Sequence, residues 1–182
     1  MYGYSKHLVD LWMQREKVLD KVAGLKYFNV FGPNEYHKGR MASMVLKMTQ
    51  KAADEGVIQL FKSNDPRFED GGQCRDFIYV KDAVKITCDL LLPQHTDVCG
   101  IFNVGQGIPT TWNQLAHALF KALKLPPNIE YIDMPAALAK QYQNYTCAQM
   151  DKLQKALGFK THSIEQSVAE YVQEYLLKDA RW

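Results

Sequence analysis

The sequence predicts an α/β fold in layers. Three observations carry that prediction. Amphipathic helical patterns alternate with short, continuous apolar runs of strand length, as layered α/β architectures require. Two of those runs end in turn chemistry: 25–30 stops at Gly32-Pro33, and 101–104 enters Gly105-Gln106-Gly107. Cap signatures stand ahead of several of the helical patterns, so helices and strands are punctuated rather than continuous.

Taken in order, residues 3–20 predict an amphipathic helix, because Leu8, Leu11, Trp12 and Leu19 fall on one face. Gly24 breaks it, and 25–30 predicts a buried strand. Residues 40–54 predict a second helix with an apolar stripe of Met41, Met44, Val45, Met48 and Ala52, a stripe that belongs to a core. A strand at 57–61 precedes an exposed loop at 62–74, rich in Asn, Asp, Pro and Gly. Phe77-Ile78-Tyr79-Val80 predicts a strand, and Asp82 the N-cap of a helix lined by Ala83, Ile86, Thr87, Leu90 and Leu91 and stopped by Pro93. After the strand at 101–104, Thr111 with Gln114 forms a capping box for a helix to about residue 123. A short strand at 129–132 follows the Pro126-Pro127 loop. Thr146 with Gln149 predicts the start of a helix closed by Gly158, and Ser163 with Gln166 opens a last helix whose apolar face runs from Ile164 to Tyr175.

Composition narrows the function classes. Lys and Arg total 22 against 20 for Asp and Glu, a net charge of +2, which gives no electrostatic reason for a nucleic-acid or membrane partner. No apolar run is long enough to span a bilayer, and the start lacks a secretory pattern. The cysteines at 74, 88, 99 and 147 form no Cys-x-x-Cys pair, so reduced thiols in a cytoplasmic protein are expected. The five histidines are scattered, and no metal site is expected.

The chemistry centres on Tyr2-Gly3-Tyr4-Ser5-Lys6. Residues four apart on a helix share a face, so the Tyr2 phenol and Lys6 ammonium can meet, and a fixed cation favours the phenolate. Such a pair suits proton transfer to and from a sugar hydroxyl. The strand motif Tyr27-Phe28-Asn29-Val30-Phe31-Gly32-Pro33 follows, then His37-Lys38-Gly39-Arg40-Met41-Ala42-Ser43, Arg75-Asp76-Phe77-Ile78-Tyr79-Val80-Lys81-Asp82, and Tyr142-Gln143-Asn144-Tyr145-Thr146. Together these resemble the extended short-chain dehydrogenase/reductase family of nucleotide-sugar enzymes, and within it the ADP-heptose 6-epimerases of lipopolysaccharide core synthesis. Lys26 departs from the pattern, since an arginine is usual there.

The resemblance implies an isomerase that works by internal redox. Bound NADP accepts hydride from the inverted heptose carbon and returns it to the opposite face, so acid/base groups are needed on two sides. It places Tyr2 as one of them, with Lys6 lowering its pKa and contacting the nicotinamide ribose, and Lys38 as the other. It places Val30 and Lys38 against the cofactor, and Asn29, Arg40, Lys47, Phe61, Ser63, Arg75 and Tyr142 against an ADP-heptose substrate, with Arg75 clamping the diphosphate. Homo-oligomers are usual in the family.

In that family the Tyr-x-x-x-Lys pair lies near mid-chain, so the resemblance implies the C-terminal part of an extended Rossmann fold plus a small α/β substrate-binding lobe, without the N-terminal dinucleotide-binding half. Residues 1–34 and 76–105 would belong to the nucleotide domain, and 35–75 and 106–182 mainly to the substrate lobe. The expectation is a chain inactive by itself, with an open sheet edge that favours association. Gly105-x-Gly107 lacks the third glycine of a dinucleotide fingerprint, since Thr stands at 110, and reads as a turn lining the substrate lobe. Two other readings stay open: another nucleotide-sugar epimerase or dehydratase of the family, and a non-catalytic sugar-nucleotide-binding module.

Overall fold

The chain opens in a helix, α1 (Tyr2–Arg15), that buries none of its residues. The expected run to residue 20 is cut short because Lys17 takes a left-handed conformation at φ 56°, after which only a 3-10 turn, Val18–Asp20, continues. Leu8, Leu11 and Trp12, the anticipated apolar face, are exposed. An ion pair between Asp10 and Lys26, and Met13 packed against Gly24, connect α1 to the following strand. Lys26, the departure from the usual arginine, therefore serves as the cation for α1.

The computed structural model describes residues 1–181. After α1 come β1 (Ala23–Tyr27), β2 (Asn29–Phe31), α2 (Met44–Glu55), β3 (Ile58–Phe61), β4 (Cys74–Tyr79), α3 (Val80–Asp89), β5 (Gly100–Val104), β6 (Pro109–Thr111), α4 (Trp112–Leu123), β7 (Ile129–Ile132), α5 (Ala136–Ala139), α6 (Asp151–Leu157) and α7 (Ile164–Glu170), which widens into a π turn at Tyr171–Leu176. The α/β class stands. Parallel pairing dominates, with β1 beside β5, β2 beside β4 and β3 beside β7, while β6 joins β4 antiparallel.

The stretch 25–30, expected as one strand, is two. β1 follows β5 up to Tyr27 opposite Val104, the Phe28 N–H donates to the Val104 carbonyl at 2.9 Å, and the chain then transfers to β4 with Asn29 opposite Phe77. Changing partners at Phe28 lets the same motif serve two sheets.

β4 divides the interior. Its side chains alternate sides, as in any strand. Phe77 and Tyr79 join a core with Phe31, Val45, Met48, Leu115, Leu119, Phe120, Val168 and Tyr171, while Ile78 joins a second core with Ile86, Phe102, Val104 and Leu153. Each fully buried aliphatic or aromatic side chain here contributes about 1.5–3 kcal/mol. α6 packs on β5 through Leu153, so the segment near 150–157 lies with the β1–β5 pair.

Several boundaries differ from the expectations. α2 begins at Met44, not residue 40, because the Ser43 hydroxyl caps it by accepting from the Leu46 N–H at 3.2 Å; Met41 lies outside it, exposed. Asp82 is not an N-cap. Tyr79 takes that position, and the Asp82 carboxylate accepts instead from the His162 N–H at 2.9 Å and faces His162 Nδ1 at 2.7 Å. α3 stops at Asp89, which leaves Leu91 exposed. Thr146 does not cap α6, because its segment is held extended: the Cys74 N–H donates to Asn144 O at 2.8 Å and the Thr146 N–H donates to Cys74 O at 3.3 Å. α6 starts only at Asp151, and Gly158 ends it in the left-handed conformation. The boxes at Thr111–Gln114 and Ser163–Gln166 form as expected. Among the described residues no helix is long and apolar enough to cross a membrane.

Candidate functional site

A buried carboxylate holds the site's framework. Asp76, in β4, is fully buried and accepts the N–H of Gln106 at 2.7 Å, Gly107 at 2.9 Å and Ala148 at 2.9 Å. Burial pushes its pKa up, against the pull of those three donors. The turn Gly105-Gln106-Gly107 is shaped for this contact. A Cβ on Gly105 would stand 2.7 Å from Ala148 Cβ and 2.8 Å from Asp76 Oδ1, and Gly107 sits at φ +76°. Its donors meet a protein carboxylate, which explains two glycines after a strand without a phosphate site.

Asp76 also fixes the first of the expected substrate residues. The Asn29 amide donates to the Asp76 carbonyl at 2.8 Å, and Asn29 lines a cavity of ≈ 490 Å³. That size lies within the range of small-molecule sites. Five expected residues from four elements and the segment before α6 converge on it: Asn29, Lys47, Phe61, Arg75 and Tyr142. The Arg75 guanidinium lies 4.9 Å from the Tyr142 ring centre and 5.9 Å from that of Trp112. Phe61 meets Tyr142 edge to face at 6.4 Å. Arg75 Nη1 donates to the Cys74 carbonyl at 2.8 Å, which orients the guanidinium from behind.

Two expected substrate residues are not on this wall. Arg40 is exposed, in the Tyr36–Met41 3-10 segment, and its carbonyl accepts from Lys47 Nζ at 2.8 Å. Ser63 is turned into its own loop, where its hydroxyl donates to Asp65 O at 2.7 Å. The sequence reading also missed residues. Trp112, Met44, Met48, Lys51 and Ile132 line the same cavity. Met48 is a core residue, as its apolar stripe predicts, and also lines this cavity; Met44 of the same stripe is exposed; Trp112 carried no signal.

A second cavity of ≈ 600 Å³ lies between the end of β2, the segment after it and the start of α3. Asn29 lines the first cavity, whereas Val30 and Phe31 line the second. Val30, Phe31, Pro33, Val80 and Val84 wall the second cavity, with Lys38, Lys81 and Lys85 around it. Lys81 pairs with Glu170 and Lys85 with Asp89, whereas Lys38 has no ion pair among the described residues. Glu35 positions the Lys38 segment. Its buried carboxylate accepts from Ser43 N at 2.5 Å, Ser43 Oγ at 2.8 Å and the Tyr171 hydroxyl at 3.0 Å, and the Lys38 N–H donates to its carbonyl at 3.0 Å. An apolar wall with one unpaired ammonium fits the nicotinamide–ribose end of a dinucleotide. The N–H groups of Gln106 and Gly107 are taken by Asp76, so the Gly105–Gly107 turn is not open to a pyrophosphate.

Lys6 Nζ lies over the Tyr2 ring, 5.3 Å from its centre. The Tyr2 side of α1 is exposed, and neither residue lines either cavity.

Residues 1–105 match the model of the NAD dependent epimerase/dehydratase family. The chain is 52% identical over 177 residues to an ADP-L-glycero-D-manno-heptose-6-epimerase of Nitratidesulfovibrio vulgaris, covering 97% of this chain and 54% of that protein. It is 42% identical to the enzyme of the same name from Fusobacterium nucleatum, covering 98% of this chain and 55% of that one. The chain therefore spans about half the length of the curated relatives it matches. Among solved structures, the Helicobacter pylori ADP-L-glycero-D-manno-heptose-6-epimerase superposes with a TM-score of 0.76 at 25% identity, over 95% of this chain and 50% of that one. A Thermotoga maritima UDP-glucose 4-epimerase with UDP-glucose gives 0.75 at 25% identity, over 98% and 53%.

Proposed function

The chain belongs to the NAD dependent epimerase/dehydratase family, and from that premise we propose that it serves the 6-epimerisation of ADP-D-glycero-D-manno-heptose to ADP-L-glycero-D-manno-heptose with NADP, for lipopolysaccharide core synthesis. The observation that carries this reading is the convergence of Asn29, Lys47, Phe61, Arg75 and Tyr142 on one cavity. It combines aromatic faces for a nucleotide, cations for a diphosphate and an amide for the sugar.

In this reading the Arg75 guanidinium binds the diphosphate through its remaining N–H groups, with the Tyr142 and Trp112 rings beside it. Lys47 adds a second cation. Phe61 and Tyr142 wall the nucleotide, and the Asn29 carbonyl oxygen accepts from a sugar hydroxyl. Arg40 and Ser63, off this wall, would complete the substrate set only by moving towards the bound ligand. Val30 and Lys38 face the cofactor's nicotinamide end, and Lys6 its ribose. Bound, NADP supplies reversible hydride acceptance. Tyr2, beside the Lys6 cation, handles the proton on one side of the sugar carbon, and Lys38 on the other. Residues 1–34 and 76–105 form the nucleotide side and 35–75 and 106–182 mainly the substrate side, α6 excepted, since it packs with β5. A homo-oligomer working in the cytoplasm completes the proposal, and the four free thiols agree with that compartment.

Calorimetric titration of the chain with ADP-D-glycero-D-manno-heptose and with UDP-glucose tests the reading. Saturable binding of the ADP-sugar, at least tenfold tighter than the UDP-sugar and lost in Arg75→Ala, is expected. Equal affinity for both, or no binding of the ADP-sugar at millimolar concentration, overturns it.

A further inference from the structure

Trp112 stands at the first turn of α4 with its indole ring against the Arg75 guanidinium and the Phe77 ring. Its Nε1–H donates to the Tyr142 hydroxyl oxygen at 3.0 Å. An indole N–H only donates, so the direction of this hydrogen bond is fixed: Tyr142 accepts. A phenol that accepts from a fixed donor keeps its own proton for another partner. Both side chains line the ≈ 490 Å³ cavity, so an acceptor within it is available to that proton.

We propose that Trp112 is a positioning residue that sets Tyr142 as an outward hydrogen-bond donor and, with Arg75, makes a two-donor clamp for the diphosphate of a nucleoside diphosphate. The inference rests on the sugar-nucleotide reading of this cavity given above, and it adds the direction of the Tyr142 hydrogen bond and the residue that imposes it. The arrangement has two parts. The Arg75 guanidinium lies 5.9 Å from the Trp112 ring centre and 4.9 Å from that of Tyr142, within cation–π range of both rings. The Trp112 N–H meanwhile occupies a lone pair of the Tyr142 oxygen, so the O–H and the guanidinium N–H groups address the same anionic ligand. A ligand offering a donor at that point would meet two donors and be rejected, so the clamp selects phosphate oxygens over sugar hydroxyls there.

The test is calorimetric titration of the chain with ADP and with adenosine, using Trp112→Phe, Tyr142→Phe and the double variant. Trp112→Phe keeps an aromatic ring beside Arg75 and removes the N–H together with part of the bicyclic ring. The expected result is a loss of about tenfold in ADP affinity for each single variant, no further loss in the double, and adenosine affinity changed less than twofold. Additive losses in the double variant overturn the inference, as do equal losses for ADP and adenosine, which mark a merely structural role. Should Trp112→Phe not fold, Tyr142→Phe alone decides: a loss confined to ADP supports the clamp, and an equal loss with adenosine overturns it. Failure of the wild-type chain to bind ADP overturns the reading of the cavity along with the clamp. Wild-type binding of ADP that is undiminished in Trp112→Phe overturns the clamp alone.

Discussion

The side-chain amide of Asn29 donates to the main-chain carbonyl of Asp76 at 2.8 Å, across the parallel pairing of β2 and β4. This bond fixes the Asn29 side chain at the cavity wall. Asn29→Asp keeps the shape but removes the donor and adds a negative charge on the wall that Arg75 shares. ADP affinity is expected to fall by about tenfold or more, read by calorimetry; unchanged affinity would remove Asn29 from the site.

Asp76 itself ties β4 to the turn after β5 and to the segment before α6. Asp76→Ala leaves three N–H groups without their acceptor. At about 1–3 kcal/mol for a buried donor left unpaired, the chain should lose at least ~3 kcal/mol, measured by urea denaturation. The sign of the pH effect follows from the raised pKa. The folded state takes up the proton more readily than the unfolded chain, so this group's contribution is fullest below the ordinary carboxylate range and declines as pH rises through the raised value. Asp76→Asn should flatten that part of the stability profile.

Glu35 holds the segment that carries Lys38. Glu35→Ala removes the acceptor shared by Ser43 and Tyr171 and should cost about 3 kcal/mol, with amide exchange rising over residues 36–43. Exchange unchanged there would show that Lys38 is positioned by other contacts.

Burial pushes the Cys74 thiol up, with Arg75 partly opposing it, while Cys88 is exposed. The thiolate is the reactive form, so at pH 8 iodoacetamide should modify Cys88 well before Cys74. Raising the pH should narrow the difference only above the ordinary thiol range. Peptide mass mapping over time reads both rates, and early labelling of Cys74 contradicts the buried start of β4.

Features that depend on neighbours in sequence were legible. The boxes at Thr111–Gln114 and Ser163–Gln166 need only four residues, and both form. Thr146 has the same spacing but fails as a cap, because Cys74, far off in sequence, holds its backbone extended. The strand motif at 25–30 was visible as apolar, yet its division at Phe28 depends on two partner strands that periodicity does not reveal. The convergence of Asn29, Lys47, Phe61, Arg75 and Tyr142 was anticipated by motif resemblance rather than by spacing. Trp112 belongs to no motif, and only its contacts with Arg75 and Tyr142 bring it into the site.

The central claim is that the cavity between β2, β3, α2 and α4 takes the nucleotide diphosphate of an ADP-sugar. A crystal structure of the chain grown with ADP-heptose tests it most directly. The account predicts the diphosphate within hydrogen-bonding distance of Arg75 and Tyr142, with a sugar hydroxyl on the Asn29 oxygen. A ligand lodged instead beside Val84 and Lys85, or an empty Arg75 wall at saturating ligand, would contradict it.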